Sequence, residues 1–121
     1  MKWLKDRFYY AVQGLFYAFK NDKSIRFQGI LGLMAILAGC LFHISKVEWM
    51  WVGLCIVLVL FAEFMNSIIE RIVDYISLER NEKAKHIKDM AAAATLIICL
   101  FALFIALIIF IPKLKEVFYV L

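Results

Sequence analysis

The sequence predicts an all-α membrane protein, with an amphipathic helix at the membrane surface followed by three transmembrane helices. Of the 121 residues, 65% are hydrophobic and 20% are charged, a composition too apolar for a water-soluble domain. Three segments, about 27–45, 49–70 and 90–112, carry almost no charge. Each approaches or exceeds the roughly 20 residues that a spanning helix needs. The length suits one domain, so residues 1–121 are interpreted as a single membrane unit.

The first segment, residues 1–20, has the periodicity of an amphipathic helix. At about 100° per residue its apolar side chains share one side, and its charged and polar side chains lie opposite. The apolar side consists of Leu4, Phe8, Ala11, Val12, Leu15 and Phe19. Such a helix lies in the plane of the membrane interface. Two interpretations stay open: it only anchors the chain, or it also covers a site.

The basic residues are distributed unevenly between the two sides of the predicted membrane. Eleven of them lie before the first span or between the second and third, and three lie in the other loop and the C-terminal tail. The positive-inside rule therefore predicts a cytoplasmic N-terminus and an external C-terminus. Because these residues flank spans, where topology and anionic lipids require them, we expect no nucleic acid binding.

A line of polar residues enters the second span. On a helix, Glu63, Asn66, Glu70 and Asp74 fall within about 80° of one another and form a stripe about 16 Å long. An acid within a span is costly and by default indicates a functional site. Glu63 is thus a candidate general base for the proton of an alcohol. The alternative is a structural hydrogen bond from Glu63 to a neighbouring helix.

Two of the acids are candidate metal ligands. Glu70 lies nearer the membrane surface than Glu63, and Asp22 lies at the entrance to the first span. Together they would offer two oxygen ligands to Mg²⁺, which binds proteins through few carboxylates plus substrate phosphates. The alternatives are an ion pair of Glu70 with Arg71 or Lys88 and a helix N-cap role for Asp22.

The third span begins with a charged pair and ends near a proline. Lys88 and Asp89 precede four alanines, Ala91–Ala94, which would let helices approach closely. Lys88 supplies positive charge to a site or only determines topology. Pro112 is expected to end the helix. The three cysteines and two histidines show no spacing typical of metal or catalytic sites.

These motifs resemble the prokaryotic integral-membrane diacylglycerol kinase family. The pattern is E-x-x-N-x-x-x-E-x-x-x-D from Glu63 to Asp74, followed by K-D-x-A-A-A from Lys88, and the resemblance covers nearly the whole chain. It implies a lipid kinase that uses ATP and Mg²⁺ and spans the bacterial inner membrane several times. It also implies a homotrimeric helical bundle in which neighbouring protomers share each active site.

The resemblance further implies individual roles. Glu63 matches the family's catalytic base. Asp22 and Glu70 match its metal ligands, although many members have Glu where this chain has Asp22. The positions that match the nucleotide side of the site are Tyr10, Asn66, Glu70, Lys88 and Asp89.

The family has members that phosphorylate undecaprenol and members that phosphorylate diacylglycerol. The tail IIFIPKL and the N-terminal helix resemble the undecaprenol-using branch, so we expect undecaprenol, with diacylglycerol as the alternative. Two hypotheses of other classes remain. A small multidrug transporter also uses one membrane-embedded Glu but usually has four spans, and a structural bundle would use the stripe only to hold helices together.

Overall fold

The computed structural model describes residues 1–77, 79 and 81–121, and every regular element in these residues is an α-helix. The helices are α1 (Lys2–Asn21), α2 (Lys23–Leu41), α3 (Lys46–Ile76) and α4 (Glu82–Val120). Helices α2, α3 and α4 are each long and apolar enough to cross a membrane, as predicted. Helix α1 forms where it was predicted, and its position at the membrane surface stays a prediction.

Side-chain caps define where α2, α3 and α4 begin. Asp22 Oδ1 accepts a hydrogen bond from the Ile25 N–H at 3.1 Å and caps α2, so the N-cap interpretation is confirmed. Ser45 and Glu48 form a reciprocal capping box at the start of α3. Asn81 caps α4. Each cap satisfies a backbone donor that the first helical turn would leave unpaired.

Helix α4 is longer than the predicted third span at both ends. It begins at Glu82, so Lys88 and Asp89 lie within the helix. It also continues through Pro112, and the expectation that the helix ends there is wrong. A proline removes one backbone hydrogen bond, a loss that transmembrane helices tolerate. Beyond it, Lys113 Nζ lies 3.4 Å from Glu48 Oε1, which holds the end of α4 beside the start of α3.

Helix α3 is the centre of the fold, packing mainly on α4 and over a shorter length on α2. A small apolar core lies where α2 turns into α3, which we call the hairpin end. The core is built on Ile44, Val52 and Ile109. Gly39 lets Trp49 pack directly on α2, since a Cβ there would lie 2.7 Å from the indole.

The opposite end of the bundle joins α1 to the rest of the chain. Arg26 donates to the backbone oxygens of Phe19 and Lys20 at 3.1 and 2.6 Å, and so satisfies carbonyls at the end of α1. The Phe19 ring packs edge-on against Phe64 of α3, with 6.2 Å between centroids. Contacts with both α2 and α3 therefore fix the C-terminal end of α1.

Candidate functional site

The predicted site residues of α2, α3 and α4 lie at the end of the bundle opposite the hairpin end. We call this region the polar end, and it comprises Asp22, Glu63, Asn66, Glu70, Asp74, Lys88 and Asp89. The helical geometry of α3 holds its four polar residues in one stripe, because the helix runs unbroken from Lys46 to Ile76.

Asp22 connects α2 to α3. One carboxylate oxygen caps α2, and the other accepts a hydrogen bond from the Ser67 hydroxyl. Arg71 Nη2 lies 3.9 Å from the same oxygen. Burial alone would raise the pKa of Asp22, but the bonds from Ser67 and the α2 backbone, with the charge of Arg71, lower it. Asp22 is therefore an anion at neutral pH, as a ligand for a hard cation must be.

Arg71 also connects α3 to α1. Its guanidinium lies over the Tyr17 ring at 5.4 Å and donates to the Tyr17 hydroxyl at 3.4 Å. Its Nε donates to Ser67, also at 3.4 Å. Because the guanidinium is planar and rigid, it loses little side-chain entropy for each hydrogen bond that it forms. The guanidinium thus joins α1, the start of α2 and α3 in one network.

Glu63 lies in the interior of the bundle. Only 8% of its surface is exposed, and Gln28 Nε2 of α2 lies 3.4 Å from its Oε1. The same amide nitrogen lies 3.8 Å from Cys99 Sγ of α4. Asp22 and Glu70 are close enough to act on Glu63 electrostatically. The arrangement brings a buried carboxylate, an amide and two further acids into one region.

An apolar groove extends from this region toward the hairpin end. It holds about 350 Å³ and lies between α2, α3 and α4. Gln28 and Cys99 line the groove together with small residues of α4, Ala102 and Ala106. One end of the groove is therefore lined by the amide that bonds to Glu63, and the rest is lined mainly by apolar side chains.

The charged pair of α4 lies farther along the stripe. Lys88 forms an ion pair with Asp74, and Lys85 lies 3.0 Å from Asp89. These residues line an open polar cleft of about 720 Å³ at the α3–α4 connection. Asp74 is about 16 Å along α3 from Glu63, at 1.5 Å per residue. In a single chain, Lys88 and Glu63 therefore occupy separate parts of the polar end.

Glu70 and Tyr10 are exposed. Among the described residues, neither side chain forms a hydrogen bond with another site residue. The alternative ion pairs considered for Glu70 are absent from these positions, since Arg71 pairs with Asp22 and Lys88 with Asp74. Tyr10 is 68% exposed and packs against Tyr9. The roles expected for both residues stay predictions.

The donor atoms at the polar end suit Mg²⁺. Within the described ranges, no three His, Cys, Asp or Glu side chains cluster closely enough to hold a metal by themselves. Mg²⁺ does not need such a cage, since it takes one or two carboxylates and substrate phosphates. Asn66 Oδ1 offers another hard oxygen, because it is buried and has no hydrogen-bond partner among the described residues.

Sequence reasoning gave no site role to Gln28, Ser67 or Tyr17, and it considered Arg71 only as one of the basic residues that determine topology and as a partner of Glu70. Ser67 and Arg71 follow Glu63 at intervals of four residues, so helical periodicity offered a signal for both. Gln28 is one neutral residue at the start of an apolar segment, and nothing in its local sequence points to α3.

Comparisons with known proteins agree on one family. The family model for prokaryotic diacylglycerol kinase matches residues 9–110. The chain is 31% identical to the undecaprenol kinase of Bacillus subtilis over 107 residues, which cover 88% of this chain and 87% of that protein. It is 33% identical to the diacylglycerol kinase of Escherichia coli K12 over 88 residues, which cover 73% of this chain and 72% of that protein. It is 35% identical to the diacylglycerol kinase of Pseudomonas aeruginosa over 86 residues, which cover 70% of this chain and 69% of that protein.

Proposed function

The chain belongs to the prokaryotic diacylglycerol kinase family and is a membrane lipid kinase with ATP as co-substrate, and we propose that its acceptor is undecaprenol. Three apolar helices and the family agree on a bacterial protein that crosses the membrane several times. Family membership also favours a kinase over the transporter and the structural bundle considered from the sequence.

The burial of Glu63, whose partner Gln28 lines an apolar groove, carries the proposal that the acceptor is a lipid alcohol. A lipid alcohol has its hydroxyl at the membrane interface and its chain in the hydrocarbon. With the first units of the chain in the groove, the hydroxyl lies near Gln28 and the Glu63 carboxylate. Glu63 accepts the hydroxyl proton as the oxygen attacks the γ-phosphorus of ATP, and ADP leaves.

The nucleotide side of the site consists of the remaining polar residues. Asp22 and Glu70 would hold Mg²⁺, which would supply positive charge to neutralise the phosphates. Lys88 adds positive charge near the phosphates, while Asn66, Asp89 and Tyr10 contact the nucleotide. Two observations support this assignment: Asp22 is an anion, and Asn66 Oδ1 has no hydrogen-bond partner among the described residues.

We propose a homotrimer with shared sites and a cytoplasmic N-terminus. The distance of about 16 Å along α3 between Glu63 and Asp74, the partner of Lys88, fits a site that a neighbouring copy completes. The eleven-to-three distribution of basic residues supports the orientation. Fusions at Lys113 to a reporter that is active only in the cytoplasm test this orientation. Reporter activity would show that the C-terminus is cytoplasmic and would contradict the proposed topology.

The acceptor is tested by measuring ATP consumption by the purified protein in detergent with undecaprenol or diacylglycerol. The expected result is faster turnover with undecaprenol, because the undecaprenol kinase of Bacillus subtilis matches 88% of this chain. Preference for diacylglycerol would select the alternative that the other relatives favour. ATP consumption that neither lipid stimulates would contradict the proposed reaction.

A further inference from the structure

The side chain of Glu63 receives one hydrogen bond among the described residues, and it comes from another helix. Gln28 Nε2 donates to Glu63 Oε1 at 3.4 Å. The two residues are 35 positions apart and belong to α2 and α3. This bond is therefore a tertiary contact, and it fixes one oxygen of the carboxylate relative to the apolar groove.

The neighbouring side chains do not duplicate this donor. The Thr95 hydroxyl of α4 bonds to the backbone oxygens of Ala91 and Ala62, at 3.2 and 3.4 Å. Cys99 offers only a weak thiol donor, and the structure gives its sulfur a contact with Gln28. Loss of the Gln28 amide would leave the carboxylate free to rotate about its last torsion, which is broad for Glu.

We propose that Gln28 is a positioning residue for Glu63, an inference that rests on the proposed role of Glu63 as the base. By occupying Oε1, the amide leaves Oε2 as the oxygen that faces the lipid hydroxyl. A general base must lie within about 2.6–3.2 Å of the proton-bearing atom, so rotation of the carboxylate lowers turnover. Binding of ATP and of the lipid chain does not depend on this rotation.

The alternative is that Gln28 only joins α2 to α3 or shapes the groove. Those roles predict different measurements. A structural bond affects the thermal midpoint, and a groove contact changes KM for the lipid. A positioning residue changes kcat with both KM values retained, and its effect depends on the presence of the Glu63 carboxylate.

The experiment compares Gln28→Met, which keeps the length of the side chain but has no donor, with Gln28→His, whose ring can donate from a similar position. For Gln28→Met we expect kcat to fall about tenfold, with both KM values within about twofold of the parent. Gln28→His should restore kcat to within about threefold of the parent. Gln13→Met makes the same change on α1 and should have no effect.

A double-mutant cycle completes the test. In a Glu63→Gln background, Gln28→Met should change the residual turnover by less than about twofold, because the carboxylate that it positions is gone. The same tenfold loss in both backgrounds, unchanged kcat in Gln28→Met, or a rise only in the lipid KM would each overturn the inference. If Gln28→Met does not fold, judged by its elution and thermal midpoint, Gln28→Ala takes its place.

The Glu63 and Gln28 variants separate the base role of Glu63 from the positioning role of Gln28. Full turnover in Glu63→Gln alone would remove the base role, whatever the Gln28 variants do. A strongly impaired Glu63→Gln with a normal Gln28→Met would leave the base role intact and reject only the positioning role.

Discussion

The two ends of the bundle differ in what their side chains contact. At the hairpin end, Ile44, Val52 and Ile109 are almost fully buried, and the ion pair of Glu48 with Lys113 joins α3 to α4. At the polar end, Glu63 is buried beside Gln28, which lines the apolar groove, and the buried Asn66 Oδ1 has no hydrogen-bond partner among the described residues. Buried polar groups are costly without partners, so the hairpin end stabilises the fold while the polar end is suited to ligands.

The comparison indicates that activity and stability are separable in this protein. Removal of the charge of Glu63 or Glu70 should alter turnover with little effect on folding, and changes of packing at the hairpin end should do the reverse.

Glu63→Gln should lower lipid phosphorylation by about 10²-fold or more, because it removes the proton acceptor and keeps the shape of the side chain. The affinity for Mg²⁺-ATP should persist, since its proposed ligands are other residues. The control is Glu48→Gln, the same change at the hairpin end, which should retain turnover. Turnover and nucleotide affinity, measured together on purified protein, check both; normal turnover in Glu63→Gln would contradict the mechanism.

Asp22→Asn should raise the Mg²⁺ concentration needed for half-maximal turnover by about tenfold, or about 1.4 kcal/mol. Asn caps a helix as well as Asp does, so α2 should still begin in the same place while the anionic ligand is lost. Glu70→Gln should also raise the Mg²⁺ concentration needed for half-maximal turnover. Titrations of turnover with Mg²⁺ test both variants, and curves that superimpose on the parent's would reject the metal assignment.

Gly39→Ala should destabilise the protein by about 1–3 kcal/mol, because the new methyl would meet Trp49 at 2.7 Å and Ile44 at 3.0 Å. Gly53→Ala is the control, since a Cβ there meets nothing within 4 Å. Thermal unfolding in detergent gives the difference. A lower kcat in folded Gly39→Ala would show that the two ends are coupled.

Lys113→Met should have the smallest effect, a loss of about 0.2–1 kcal/mol of stability with unchanged turnover. It removes the ion pair with Glu48, in which each side chain is 27% exposed. Lys115→Met provides the control on the same helix, at an exposed position without a recorded ion pair in the described ranges. A larger loss for Lys113→Met would make this pair a main support of the extension of α4 past Pro112.

Much of the fold was predictable because it depends on local properties of the chain. Apolar length identified all three spans, and helical periodicity placed Glu63, Asn66, Glu70 and Asp74 on one stripe of α3. The end of α4 was predicted wrongly from Pro112. The local rule for proline failed because a transmembrane helix tolerates the loss of one backbone hydrogen bond.

By itself, the sequence determined which residue types line each helix and which of them cost energy in a membrane. Only the tertiary structure decided their partners: Gln28 with Glu63, Arg71 with both Asp22 and Tyr17, and Lys88 with Asp74. The physical reason is that the rotation between residues of one helix is set by its backbone hydrogen bonds. Which faces of two helices contact each other, in contrast, depends on packing between segments that are far apart in the chain.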